Sequence, residues 1–129
     1  MAVVHQRYLM NRIYTRADRT VIAVNPFRAL AIYSSQVMDR YSKASNSLEL
    51  PPHIFSVAFD ALQGLRSTGR SQAILISGGS GAGKTQSKKL VLSFVSEAIG
   101  GGEGWSRVLS SLPVVEAFGN AHGWCGVAL

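Results

Sequence analysis

The chain has 129 residues, 47% of them hydrophobic and 16% charged, which suits one ordinary globular domain and is too apolar for a disordered tail. Thirteen Lys and Arg against seven Asp and Glu give a formal charge of +6. The bases stand singly (Arg7, Arg12, Arg16, Arg19, Arg28, Arg40), so they read as solvated surface and no nucleic-acid partner is expected. Cys125 is the only cysteine, which excludes a disulfide framework and a cysteine-based metal site. No run approaches the roughly 18 apolar residues of a membrane span, so the reading is a soluble cytosolic protein.

Two β-rich runs, Ile13-Tyr14-Thr15 and Thr20-Val21-Ile22-Ala23-Val24, flank the polar Arg16-Ala17-Asp18-Arg19 and predict a hairpin, which Pro26 stops. Ser34 or Ser35 is placed to cap a short helix reaching about Tyr41. Pro51-Pro52 opens a longer helix in which Ile54, Phe55, Ala58, Leu62 and Leu65 share one face and which Gly69 ends. Residues 72–77 are short and apolar on both faces, as expected of a buried central strand in a parallel sheet. Farther on, Leu90, Val91, Phe94, Val95, Ala98 and Ile99 form one broad apolar helical stripe, with Gly100 as its cap. A glycine-rich loop follows, then one or two helical turns over 105–111 and a short helix from Pro113. With few strands besides the hairpin, the sheet is expected to be incomplete.

Between the apolar run and that helix stands Gly78-Gly79-Ser80-Gly81-Ala82-Gly83-Lys84-Thr85, with the spacing G-x-x-x-x-G-K-S/T. Successive backbone N–H groups in such a loop wrap an anion, and the helix N-terminus adds partial positive charge. Lys84 is placed to reach β- and γ-phosphates, and the Thr85 hydroxyl to take one position on Mg²⁺. The strand before and the helix after are the context the loop requires. No apolar strand ends in an Asp that could serve as a second metal anchor. His5, His53 and His122 lack metal-ligand spacing, and His53 reads as a structural residue at a helix start.

Further segments resemble the myosin motor head. Asn25-Pro26-Phe27-Arg28-Ala29-Leu30-Ala31-Ile32-Tyr33 is similar to the family's purine-binding loop, N-P-x6-Y. Arg7-Tyr8, Ile13-Tyr14-Thr15, Pro52-His53-Ile54-Phe55 and Glu116-Ala117-Phe118-Gly119-Asn120-Ala121 look like family segments in the same order, so the resemblance covers roughly residues 7–121. It implies an α/β, P-loop NTPase-like fold with a partial mixed sheet flanked by helices, truncated before switch I. It also implies that Asn25, Pro26 and Tyr33 line an adenine pocket while Gly78, Gly79, Ser80, Gly81, Ala82, Gly83, Lys84 and Thr85 hold the phosphates of ATP with Mg²⁺. A planar, half-apolar base suits a proline or aromatic surface with an amide to orient it.

The sequence also departs from the family. Gly79 replaces the usual acid of the loop, Gln86 the acid after the Thr, and Lys88 a Ser or Thr; none of these removes a backbone donor. Ala29 is smaller than the residue some relatives carry. After Ala121 the family continues into switch I, whereas residues 122–129 read as a divergent tail following a motor-like segment at 1–121. The expectation is therefore ATP binding as part of an actin-based, cytoskeleton-associated myosin ATPase, in a cytoplasmic myosin complex, by a fragment incompetent for hydrolysis alone and without the actin-binding surface. The rivals are a truncated non-motor relic or nucleotide-binding module, and a small P-loop kinase or GTPase. The purine-type loop far upstream of the phosphate loop speaks against the last.

Overall fold

A computed structural model describes residues 2–100 and, beyond them, the backbone of a strand at 124–128. The chain opens with α1 (Ala2–Leu9), which buries none of its residues and was not signalled by the sequence. Arg7 ties it down: its Nη2 donates to the Tyr14 carbonyl at 2.8 Å, and its Nε to the Thr15 hydroxyl at 3.1 Å.

The hairpin forms as β1 (Tyr14–Ala17) and β2 (Thr20–Ala23), antiparallel with Ala17 opposite Thr20. Only Asp18 and Arg19 make the turn, so it is tighter than the four polar residues suggest. Asp18 takes φ +53°, a left-handed geometry that aspartate tolerates in such turns. α2 (Ser35–Ser42) starts as anticipated, its N-cap Ser34 accepting from the Val37 N–H. A 3₁₀ turn at Ser47–Glu49 leads to α3 (Ile54–Thr68).

His53, two residues after the proline pair begins, is the N-cap of α3, and its imidazole accepts from the Phe55 N–H. Of the predicted apolar face, Ile54, Phe55, Ala58 and Leu62 are buried; Leu65 is half-buried, and Phe59 joins the core instead. Gly69 closes the helix through its N–H to the Leu65 carbonyl, 2.9 Å. α4 (Lys84–Ala98) lies against α3, burying Val91, Leu92, Phe94 and Val95. Phe55, 0% exposed, stacks on Phe94 with ring centroids 5.2 Å apart, and this pair forms the centre of the core. Full burial of such side chains stabilises by about 1.5–3 kcal/mol each. At the far ends of the two helices, Arg66 donates to the Ala98 carbonyl.

The strand before the phosphate loop differs from the expectation. β3 (Ala73–Ser77) pairs with β4 (Trp124–Ala128) antiparallel, Ala73 opposite Ala128 and Ser77 opposite Trp124. Ile74 is buried, but Leu75 is 69% exposed. The reading of a buried central strand in a parallel sheet is thus corrected. An apolar run shows how hydrophobic a strand is, not which way its neighbour points nor how many neighbours it has. Among the described residues the strands form two separate antiparallel pairs, β1–β2 and β3–β4, rather than one mixed sheet. The molecule is α/β, with helices packed on one side of β3. The turns predicted over 105–111 and the helix from Pro113 lie outside the described residues, as does the junction at 121.

Candidate phosphate-binding site

The loop of residues 78–83 connects β3 to α4, and its shape follows from its glycines. The Ala82 N–H bonds the Gly79 carbonyl at 3.2 Å, closing a turn whose third residue, Gly81, takes φ +75°. Gly83, at φ +91°, is the N-cap of α4. Both angles lie where a Cβ is strained, so glycine is what lets the chain fold back before the helix begins. Gly83 has no side chain with which to cap the helix. The orphan N–H groups of the first turn of α4 therefore face outward from a positively polarised helix end, which is the chemistry an anion requires.

Lys84 is half-buried, and its Nζ donates to the Gly78 and Gly79 carbonyls, 2.8 Å each. The ammonium thus sits over the loop, paired with neutral carbonyls that a phosphate oxygen would outcompete. Thr85 stands exposed in the first turn of α4, and Ser80 is exposed within the loop. This donor set of backbone amides, one ammonium and one hydroxyl fits a phosphate chain with a hard divalent cation. Among the described residues, no three or more His, Cys, Asp or Glu gather to hold a metal without it.

The three residues expected at the base part ways. Asn25 reaches the phosphate loop: its Nδ2 donates to the Gly81 carbonyl at 2.8 Å, while its Oδ1 accepts from the Phe27 N–H at 2.9 Å. Pro26 lines a small cleft of about 180 Å³ with Tyr8, Leu9, Asn11, Ile13 and Arg28. Tyr33, half-buried, packs against the core. Its hydroxyl pairs with that of Tyr14 at 2.8 Å, and its ring lies 5.5 Å from His53 and 6.2 Å from Phe55.

His53 is the hub of that aromatic group. It is 6% exposed, with Tyr41 stacked at 5.2 Å and Tyr14 at 4.8 Å. Because Nδ1 accepts from the Phe55 N–H, Nε2 must carry the proton it donates to the Ile32 carbonyl, 3.0 Å away. Burial lowers its pKa to about 4, opposed in part by the Ile32 bond. Burial likewise pushes the Tyr14 hydroxyl up, as does its bond to Tyr33. His53 thus joins the loop that carries Ile32 and Tyr33 to the start of α3, the structural role its sequence position suggested.

A larger open cleft of about 1090 Å³ runs from Ala82 and Lys84 along β3 to the hairpin and to Asp60 of α3. Arg16 lies on its wall, donating to the Ser47 carbonyl and the Ser56 hydroxyl. Of the residues expected at the site, only Ala82 and Lys84 line it. The link from Asn25 to Gly81, across 56 positions, had no signal in the sequence.

The myosin head (motor domain) family matches residues 1–124 of the chain. Among curated proteins, Myosin-1 of Meyerozyma guilliermondii is 42% identical over 92 residues, covering 71% of this chain and 7% of the relative. Myosin-5 of Candida albicans is 41% identical over the same length and with the same coverage. Unconventional myosin-Ib of Mus musculus is 46% identical over 95 residues, 74% of this chain and 8% of the relative. The chain therefore spans less than a tenth of the length of these relatives.

Proposed function

Since the chain belongs to the myosin head (motor domain) family, we propose that it binds Mg·ATP through the loop between β3 and α4, as the phosphate-holding part of an actin-based motor ATPase with the P-loop NTPase-like arrangement. The observation that carries this is the loop itself: left-handed glycines at 81 and 83, an uncapped helix start and the Lys84 ammonium all converge on one spot. In this reading Gly78, Gly79, Ser80, Gly81, Ala82 and Gly83 present backbone to the phosphates. Lys84 supplies a full positive charge to the β- and γ-phosphates, and the Thr85 hydroxyl is a ligand of Mg²⁺. A cation held there by the Thr85 hydroxyl would neutralise phosphate charge.

Asn25, Pro26 and Tyr33 belong to the segment proposed to accept the adenine. Tyr33 would do so with ring surface left by its contacts, since its hydroxyl pairs with Tyr14 and its ring lies against His53 and Phe55. Hydrolysis needs a group that orients water and a second acidic anchor beside the metal. Binding is proposed for this chain, and turnover for the longer motor. Actin enters as the filament partner of that motor, with no described residue assigned to it. No described helix is long and apolar enough to cross a membrane.

Equilibrium titration of the chain with a fluorescent ATP analogue, with and without Mg²⁺, tests the proposal. Saturable binding that is stronger with Mg²⁺ and displaced by unlabelled ATP is expected; no saturable binding in either condition refutes it.

A further inference from the structure

The six residues of the phosphate loop, Gly-Gly-Ser-Gly-Ala-Gly, are all small, and five of them are exposed, Gly83 alone being half-buried. Ordering a backbone residue costs about 1–2 kcal/mol, and glycine loses the most freedom, so a loop of this composition needs an external tether to stay converged. Lys84 cannot be that tether while it serves an anion, because the ammonium that holds the Gly78 and Gly79 carbonyls is the group that phosphate takes. The Asn25 carboxamide is differently placed. It comes from the segment after β2, bonds the Gly81 carbonyl, and lies 3.9 Å from where a Cβ on Gly83 would stand. It therefore rests against both left-handed glycines at once. Its own orientation is fixed from behind by the Phe27 N–H, and Phe27 takes φ +50°, an angle costly for an aromatic residue and held in place by that bond.

We propose that Asn25 is a positioning residue of the phosphate loop: its amide holds the Gly81 carbonyl so that the neighbouring N–H groups stay aimed at the anion, and it acts on the phosphates rather than on the base. This rests on the phosphate-binding reading above. The carboxamide oxygen and one N–H are committed to protein partners, and the Gly81 bond uses a carbonyl that no phosphate competes for, so the clamp persists when Lys84 turns to its ligand.

Affinities of the full chain for Mg·ATP and for Mg·tripolyphosphate, which has no base, separate the two roles. In Asn25→Ala both should weaken by the same factor, about 3- to 10-fold, the worth of one neutral hydrogen bond. A loss confined to ATP, or no loss for either, overturns the proposal. A second arm needs no ligand: ¹⁵N order parameters of residues 79–83 in the wild type, Asn25→Ala and Asn25→Asp. Aspartate keeps the acceptor for the Phe27 N–H but has no N–H for Gly81, so the loop should loosen in both variants, toward the values below about 0.6 typical of flexible backbone. Unchanged order parameters overturn the clamp. If the wild type binds neither probe, the binding reading fails by itself, while the relaxation arm still decides whether Asn25 holds the loop.

Discussion

Acidification is expected to weaken this fold through one residue. His53 is neutral with both ring nitrogens in use, Nδ1 as the cap of α3 and Nε2 as donor to the Ile32 carbonyl. Protonating Nδ1 destroys the cap and places a cation among Tyr14, Tyr33, Tyr41 and Phe55. The folded pKa of about 4 lies below the ordinary 6.5, so between these values the unfolded chain binds more protons than the folded one. Stability is then fully present above about pH 6.5 and falls as pH drops toward 4. At 1.36 kcal/mol per pH unit the complete loss is about 3 kcal/mol, and about 2 kcal/mol of it is reached by pH 5. Urea unfolding followed by circular dichroism at pH 7.5, 6.5, 5.5 and 5.0 measures it against His53→Asn, whose side-chain oxygen keeps a cap but does not titrate. The stability advantage of the wild type should shrink by about 2 kcal/mol over that range. Parallel profiles for the two proteins refute the reasoning. So does an imidazole proton resonance of His53 that titrates near pH 6.5, a readout that holds even if the variant is too unstable to study.

Two further substitutions test the packing. Phe55→Ala removes a fully buried ring that stacks on Phe94 and touches Tyr33, Tyr41 and His53, and should cost about 3–5 kcal/mol by thermal or urea unfolding; a loss under 1 kcal/mol contradicts the core described. On β3, Ile74→Ala should cost about 2–5 kcal/mol, whereas Leu75→Lys, at a side chain 69% exposed, should change stability by no more than about 0.5 kcal/mol. Equal large losses at both positions restore the buried central strand.

Local signals made most of this fold legible. The hairpin was marked by two β-rich runs around Asp18-Arg19, α2 by Ser34, the end of α3 by Gly69, and α4 by the stripe through Val91, Phe94 and Val95, each a property of neighbouring residues. The loop between β3 and α4 was marked for the same reason, by contiguous glycines, two of which, Gly81 and Gly83, take left-handed angles before the helix begins. What escaped was non-local. Ile74, Leu75 and Ile76 are hydrophobic enough for any strand, but only the distant segment Trp124–Ala128 determines that their partner runs antiparallel and that Leu75 is left outside. α1 has no buried residue, hence no apolar period to read; the Arg7 side chain ties it to the Tyr14 carbonyl and the Thr15 hydroxyl. Asn25 illustrates both cases. The purine-type motif singled it out, yet the side chain's partner, Gly81, belongs to the other motif, and no spacing rule connects the two. Tyr33 was likewise picked out by pattern, while its contacts with Tyr14 and His53 depend on how α3 folds back beneath it.

The central claim is that the loop between β3 and α4 is a working phosphate site, and its most direct test is the affinity of the full chain for Mg·ATP beside that of Lys84→Ala. The variant removes the ammonium and keeps every backbone donor. A hydrogen bond to a charged group contributes about 1.5–3 kcal/mol, so the account predicts a loss of roughly 10- to 150-fold with the fold intact by circular dichroism. Equal affinity in the two proteins would contradict it.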